Sequence, residues 1–168
     1  MTETITEATA LAHDPQHDFD FLFGSWKLRN RRLKEALTGS TEWLEFDATS
    51  VCRPIWNGAA HMDEYEALES PFGRIEGMTL RLFDAQSGQW TIYWANRKNG
   101  RLDTPMTGQW KDGRGEFYDQ EFHRGRAIYV RFVWSRDGDD TARWEQAYSD
   151  DGGRTWETNW IMVFERVR

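Results

Sequence analysis

Hydrophobic and polar residues alternate with a period of two along much of this chain. Successive side chains of a β-strand point to opposite faces, so this period predicts strands. In residues 155–168, one face would carry Trp156, Thr158, Trp160, Met162, Phe164 and Arg166. Three further sets share this phasing: Trp90, Ile92, Trp94 and Asn96; Ile128, Val130, Phe132 and Trp134; and Ala142, Trp144, Gln146 and Tyr148.

Short polar segments rich in glycine separate these strands. Examples are residues 84–88 (DAQSG), 98–100 (KNG), 111–113 (KDG), 137–140 (DGDD) and 150–153 (DDGG). This spacing indicates about ten strands in up-and-down order, and no segment between them shows the period of a crossover helix. A sandwich of two open sheets is the structural alternative. Closure removes exposed sheet edges, so we predict an all-β fold, a closed antiparallel barrel.

The N-terminal part of the chain predicts a tail followed by a plug. Residues 1–17 are polar and aperiodic, and we expect a flexible tail there. Residues 18–168 would then form one barrel domain. The segment 19–23 (FDFLF) is too short for a free helix, but one helical turn could close an end of the barrel with Phe19, Phe21 and Phe23.

Composition and charge narrow the possible partners. The chain has 168 residues, ten Trp and ten Phe, and large flat side chains are enriched in strands and in pocket walls. A net charge of −7 argues against nucleic acid as a partner. Neither a signal peptide nor an apolar run long enough for a membrane helix is evident, so no membrane partner is expected. The single cysteine, Cys52, fits a cytoplasmic location.

The segment 21–28 (FLFGSWKL) resembles the opening of the lipocalin and fatty-acid-binding proteins, the calycin superfamily. There, a short helical turn leads into a Gly-x-Trp motif on the first strand. The resemblance implies that Trp26 seals the closed end of the barrel and that a late arginine, here Arg166 or else Arg168, packs across it. The chain also resembles uncharacterised bacterial calycin-like domains of unknown function from about Asp18 to its end. Neither resemblance implies a reaction.

A second motif occurs near the C-terminus. Residues 149–156 (SDDGGRTW) are similar to the Asp-box of sialidases, S-x-D-x-G-x-T-W. One copy in a chain this short is incompatible with a propeller, so we predict no sialidase activity. We expect a structural hairpin in which the Asp151 carboxylate accepts backbone N–H groups.

Phasing from Trp26 places polar residues among the inward-facing ones. Asn30 and Arg32 would face the interior, and Arg32 could hold an anionic head group because a buried guanidinium needs a partner. Polar residues in phase with inward tryptophans could orient a small ligand. The predicted ligand-binding set is Asn30, Arg32, Trp94, Asn96, Trp144, Gln146, Thr158 and Trp160.

The densest group of titratable residues lies in segment 61–66 (HMDEYE). His61 and Asp63 would share a face, with Glu64 on the other, and these three are candidate acid–base groups. An exposed acidic strand is the alternative interpretation. We expect His123 to be exposed, and Cys52 to be a buried apolar residue rather than a nucleophile.

No cofactor is expected. A related calycin group binds haem through a histidine, but the first strand here lacks that group's longer glycine-rich signature. His13 and His17 flank Asp14, yet no rigid third ligand accompanies them, so no metal site is predicted.

Three functions remain open from the sequence. The first is binding of a small apolar or aromatic molecule, with an acidic group suggested by Arg32. The second is an enzyme that acts on such a molecule inside the barrel. The third is a homodimer that buries further aromatics, such as Trp43 and Trp56, without any ligand.

Overall fold

A computed structural model gives the fold, and it describes residues 12–168. Nearly all of the regular structure is antiparallel strand. The strands are β1 (Gly24–Leu33), β2 (Trp43–Ile55), β3 (Ala60–Ala67), β4 (Ile75–Asp84), β5 (Gln89–Asn96), β6 (Arg101–Leu102), β7 (Met106–Lys111), β8 (Arg114–His123), β9 (Arg126–Arg136), β10 (Thr141–Ser149) and β11 (Glu157–Arg166). Short 3₁₀ turns occupy Pro15–His17, Asp20–Leu22 and Trp56–Gly58.

Ten of these strands form a closed ring. Each pairs with its neighbour in sequence, β11 pairs back onto β1, and β5 pairs with both β4 and β7. The two-residue strand β6 only extends the edge of β5. The predicted up-and-down barrel is therefore confirmed, and the sandwich alternative is wrong.

The interior is filled by alternate residues of each strand, as the period of two predicts. On β1, Trp26, Leu28 and Asn30 are buried while Lys27 and Arg29 are exposed. On β2 the buried positions are Phe46, Ala48, Ser50 and Cys52. The barrel thus has one largely apolar core, into which a few polar side chains such as Asn30 and Ser50 also point.

A plug closes the end of the barrel at which β1 begins. Phe19 and Leu22, in and beside the Asp20–Leu22 turn, are almost completely buried. The Trp26 indole N–H donates to the Leu22 carbonyl at 2.8 Å, which attaches the plug to β1.

Arg166 on β11 completes this closure. Its guanidinium lies over the Trp26 ring at 4.2 Å and donates to the Phe21 and Phe23 carbonyls, each at 2.6 Å. This is the contact that the resemblance to the lipocalins implies, and it involves Arg166 rather than Arg168.

The Asp-box is a turn between β10 and β11. The Asp151 carboxylate accepts the Thr155 backbone N–H at 2.9 Å and also the Ser149 hydroxyl. Hydrogen bonds from Thr155 lower the pKa of Asp151 to about 2. The residue therefore organises its own hairpin, as expected from the motif.

Some residues that the sequence assigned to a flexible tail take part in the fold. Residues 1–11 lie outside the described part, but Pro15–His17 forms a 3₁₀ turn whose Pro15 carbonyl accepts the Trp90 indole N–H at 3.0 Å. Among residues 12–168, no helix has the length and apolar character needed to cross a membrane.

Candidate functional site

A cavity of about 230 Å³ lies inside the barrel, above the plug. Its walls come from most of the strands, and several residues of the predicted ligand-binding set line it: Arg32, Trp94, Trp144, Gln146 and Trp160. Ligand pockets commonly measure roughly 300–1,000 Å³. This cavity lies below that range, so it suits only a small molecule.

One wall is apolar and rich in aromatic rings. Phe132 and Trp144 meet edge to face with centroids 4.8 Å apart, and Trp144 meets Trp160 in the same way at 5.6 Å. Trp134 and Phe164 continue this wall towards the plug. Such a surface favours a flat apolar ligand that can pack against the rings.

Arg32 lies far along β1 from the plug, between two aromatic rings. Its guanidinium carbon is 4.4 Å from the centre of the Phe72 ring and 4.5 Å from that of Trp160. Within residues 12–168, no carboxylate lies within 4.0 Å of its nitrogens. Burial lowers the pKa of Arg32.

Asn30 faces the interior but does not line the cavity. Its Oδ1 accepts the Tyr65 hydroxyl at 2.9 Å and the Trp160 indole N–H at 3.0 Å. Because it lies behind Tyr65 and Trp160, it fixes these two lining side chains instead of contacting a ligand directly. The prediction of Asn30 as a ligand contact is corrected accordingly.

A β-bulge displaces Thr158 from the cavity wall. Gln146 pairs with Trp160 and Ala147 with Thr158, so Asn159 is the extra residue on β11. A bulge reverses the facing of the residues beyond it. Asn159 is buried instead, and its Oδ1 accepts a hydrogen bond from Gln146 Nε2 at 2.9 Å. The simple alternation that selected Thr158 is therefore wrong at this end of β11.

Asn96 is also not a cavity residue. It ends β5, and its side chain accepts the Lys98 backbone N–H at 2.9 Å, which caps the following turn. Trp94, two residues earlier, does line the cavity. Its ring covers Gly77, where an added Cβ would lie 2.0 Å from the indole, so the glycine makes room for this tryptophan.

The three candidate acid–base residues do not form one catalytic group. His61 is completely buried among the plug aromatics, and its Nε2–H donates to the Gly58 carbonyl at 3.1 Å. Burial and then Arg81 lower its pKa to about 4, so it is neutral at pH 7. Glu64 faces outward and pairs with Arg53.

Asp63 does line the cavity, but as half of a buried ion pair. Its Oδ2 accepts a hydrogen bond from Arg81 Nη1 at 2.7 Å, and both residues are more than nine-tenths buried. The Arg81 guanidinium also lies over the rings of Phe19 and Trp134, which places the pair at the plug end of the cavity. The strand is therefore not the exposed acidic one considered as the alternative.

The sequence did not point to Arg81 because Met78, Leu80 and Leu82 alternate with Thr79 and Arg81. That pattern assigns the apolar residues to the interior, whereas Thr79 and Arg81 line the cavity.

Carboxylates cluster at the other end of the cavity. Asp103 and Glu121 line it, and Asp119 lies on the same inward face of β8 as Glu121. Burial, and then the neighbouring Glu121, raise the pKa of Asp119. His123, expected to be exposed, is instead half-buried with its ring 5.4 Å from that of Tyr148.

Cys52 is buried, and burial raises its pKa to about 12, which makes it a poor nucleophile at neutral pH. In the described part of the chain, no group of three or more His, Cys, Asp or Glu side chains is arranged to hold a metal ion.

Comparison with known proteins supports the fold. No family model matches this chain, and no curated protein matches it. Among solved structures, the S-type phycobiliprotein lyase CPES from Guillardia theta aligns with a TM-score of 0.60 at 10% identity, over 94% of both chains.

Two further solved barrels align less closely. The redesigned β-barrel b11L5F_LGL gives a TM-score of 0.48 at 8% identity, over 95% of this chain and all of the other. The protein EF1p2_mFAP2b bound to DFHBI gives 0.49 at 10% identity, over 91% of this chain and 99% of the other. Together with the ring of ten strands, the lyase alignment shows that this chain has a calycin-like β-barrel fold.

Proposed function

We propose that this protein binds a small, flat, largely apolar molecule with an acidic group inside its barrel. The observation that carries the proposal is Arg32, a cation at a cavity wall between the Phe72 and Trp160 rings, without a carboxylate partner among the described residues.

The charge of Arg32 supports an acidic group on the ligand. Removing a cation from water without an anion is unfavourable, and a guanidinium can bind a carboxylate through two hydrogen bonds. Stacking on two rings holds the guanidinium plane in place but leaves its N–H donors free for such a partner. A ligand carboxylate would supply the missing charge.

The aromatic wall of the cavity supports the apolar part of the ligand. Trp144, Phe132 and Trp134 present ring faces and edges to the interior, and none of these side chains carries a charge. The volume of about 230 Å³ limits the enclosed part to about the size of one or two fused rings.

The test compares an acid with a neutral molecule of nearly the same shape. We expect 1-naphthoate to bind with a measurable quenching of tryptophan fluorescence, because Trp144 and Trp160 line the cavity. We expect Arg32→Ala to weaken 1-naphthoate binding about 10- to 100-fold, the loss typical of a charge-assisted hydrogen bond, and to leave 1-naphthamide nearly unaffected.

Arg31→Ala is the matched control. Arg31 is the adjacent arginine on β1, but it faces outward, stacks on Trp43 and lies near Glu45. Its removal should leave the affinity for both naphthalene probes unchanged. Equal losses for acid and amide in Arg32→Ala, or no binding of either probe below millimolar concentration, would contradict the proposed function.

A further inference from the structure

The plug end of the cavity holds a charged pair with unused hydrogen-bonding capacity. A carboxylate can accept about four hydrogen bonds and a guanidinium can donate five. Among the described side chains, Asp63 and Arg81 share a single hydrogen bond, and neither makes another with a third side chain.

Both residues are closed off from bulk water yet open to the cavity. Arg81 is 3% exposed and Asp63 is 6% exposed, and both line the cavity wall. Buried polar atoms are normally satisfied by protein, ordered water or a ligand. The free donors and acceptors of this pair are therefore placed to be satisfied by something inside the barrel.

The surroundings of the pair make one wall of the cavity polar. Thr79 lies opposite Asp63 in the β3–β4 pairing, and Ser50 lies on the adjoining strand β2. Both also line the cavity. This polar wall, formed by β2, β3 and β4, differs from the aromatic wall of β9, β10 and β11.

We infer that Asp63 and Arg81 together recognise an amide-type edge, an N–H beside a C=O, on the ring system of the ligand. The Asp63 carboxylate would accept the ligand N–H while Arg81 donates to the adjacent carbonyl. A ligand of this class is a flat conjugated lactam with its acidic group at the opposite end, near Arg32. This inference rests on the proposed function, since it describes the second end of the same ligand.

The alternative role of the pair is purely structural. Arg81 packs on Phe19 and Trp134, so the ion pair could serve only to seat the plug. A structural pair would not distinguish between two ligands of equal shape. Discrimination between a ligand with the N–H and one without it separates the two roles.

The experiment uses two acids that differ at one ring position. In 2-quinolone-4-carboxylate a ring N–H stands beside the carbonyl, whereas coumarin-4-carboxylate has an oxygen at that position. We expect the quinolone to bind about 10- to 100-fold more tightly by isothermal titration calorimetry, because the coumarin ring oxygen cannot donate to Asp63 and would set a lone pair against its carboxylate.

The double variant Asp63→Leu, Arg81→Met tests the origin of this preference. Replacing both members of a buried ion pair by apolar residues is often tolerated, whereas removing one leaves an unpaired charge. We expect the ratio of the two dissociation constants to fall close to one in this variant. If the variant does not fold, the ratio of the two dissociation constants in the wild-type protein still tests whether the ligand N–H is recognised.

The outcomes separate this inference from the proposed function. Equal affinities for quinolone and coumarin in the wild-type protein, or a preference that persists in the folded double variant, would overturn the lactam inference and leave acid binding intact. Failure of all three acids, including 1-naphthoate, to bind would overturn both.

Discussion

At the scale of single residues, His61 shows how burial sets the chemistry of a side chain. The imidazole is enclosed by Phe19, Phe23 and Trp90, and its Nδ1 has no hydrogen-bond partner among the described residues. Burial first, and the positive charge of Arg81 second, lower its pKa to about 4. A neutral histidine in the plug is therefore a structural residue at physiological pH.

This environment predicts an acid-dependent loss of stability. Above pH 6.5 His61 is neutral in both the folded and the unfolded chain, so it causes no pH dependence there. Between pH 6.5 and about 4 the unfolded chain takes up a proton that the folded barrel does not, so the free energy of unfolding falls as the pH falls. The shift corresponds to a loss of about 2–3 kcal/mol by pH 4.

Urea unfolding of the wild type and of His61→Gln at pH 7 and pH 4.5 measures this effect. Carboxylates titrate in both proteins, so the difference between the two pH dependences isolates the histidine. We expect the variant to lose less stability than the wild type on acidification. Parallel losses in the two proteins would show that His61 accepts a proton in the folded state.

At the scale of structural elements, the plug depends on a residue from the other end of the sequence. Arg166 on β11 is the only side chain of the described residues seen to donate to both the Phe21 and Phe23 carbonyls. The Asp20–Leu22 turn is too short to be stable alone, so its position comes from these bonds and from packing. The last strand thereby holds the Asp20–Leu22 turn of the plug in place.

We predict that Arg166→Ala destabilises the barrel by about 2–4 kcal/mol, from the loss of two hydrogen bonds and of stacking on Trp26. Arg166→Lys should recover only part of this, because an ammonium cannot bridge the two carbonyls as a planar guanidinium does. The free energy of unfolding in urea is the measurement.

Arg168→Ala is the matched control for this prediction. Arg166 Nε lies 3.4 Å from the Asp140 carboxylate, and Arg168 contacts the same carboxylate. The Arg168 side chain is 78% exposed, however, and it has no contact with the plug among the described hydrogen bonds. We expect little change in its unfolding midpoint. A similar effect of both substitutions would indicate that Asp140, not the plug, is what Arg166 stabilises.

At the scale of the whole molecule, the cavity couples ligand binding to global stability. Its lining residues come from β1 through β5 and from β7 through β11, so a bound molecule contacts strands all around the ring. The unfolded chain has no such cavity, so a ligand stabilises only the folded state. At a hundred times its Kd, a ligand adds about 2.7 kcal/mol.

We therefore expect 1-naphthoate at that excess to raise the Tm of the wild-type protein by about 5–11 °C in a thermal melt. At the same concentration the rise should be much smaller for Arg32→Ala and unchanged for Arg31→Ala. An equal rise in wild type and Arg32→Ala would place the naphthoate elsewhere on the protein.

The sequence by itself determined the architecture and much of the inner face. A period of two is set by strand geometry, so it identified the inward positions of β1, the lining residues Trp144 and Gln146, and the strand order that the hairpins impose. Trp26 and Arg166 were recognisable because the motif at the start of the domain implies a late arginine. These are local or family-level signals, and they do not depend on knowing distances across the barrel.

The tertiary structure decided what those inward residues contact. Alternation could not show that Asn30 lies behind Tyr65, that the bulge at Asn159 turns Thr158 away, or that Asn96 caps a turn. Asp63 and Arg81 are 18 residues apart, and the register of the paired strands β3 and β4 sets their side chains diagonally opposite each other at the end of one cavity. The period of two specifies the face of the sheet on which a side chain lies, whereas strand register and barrel closure determine its partners across the interior.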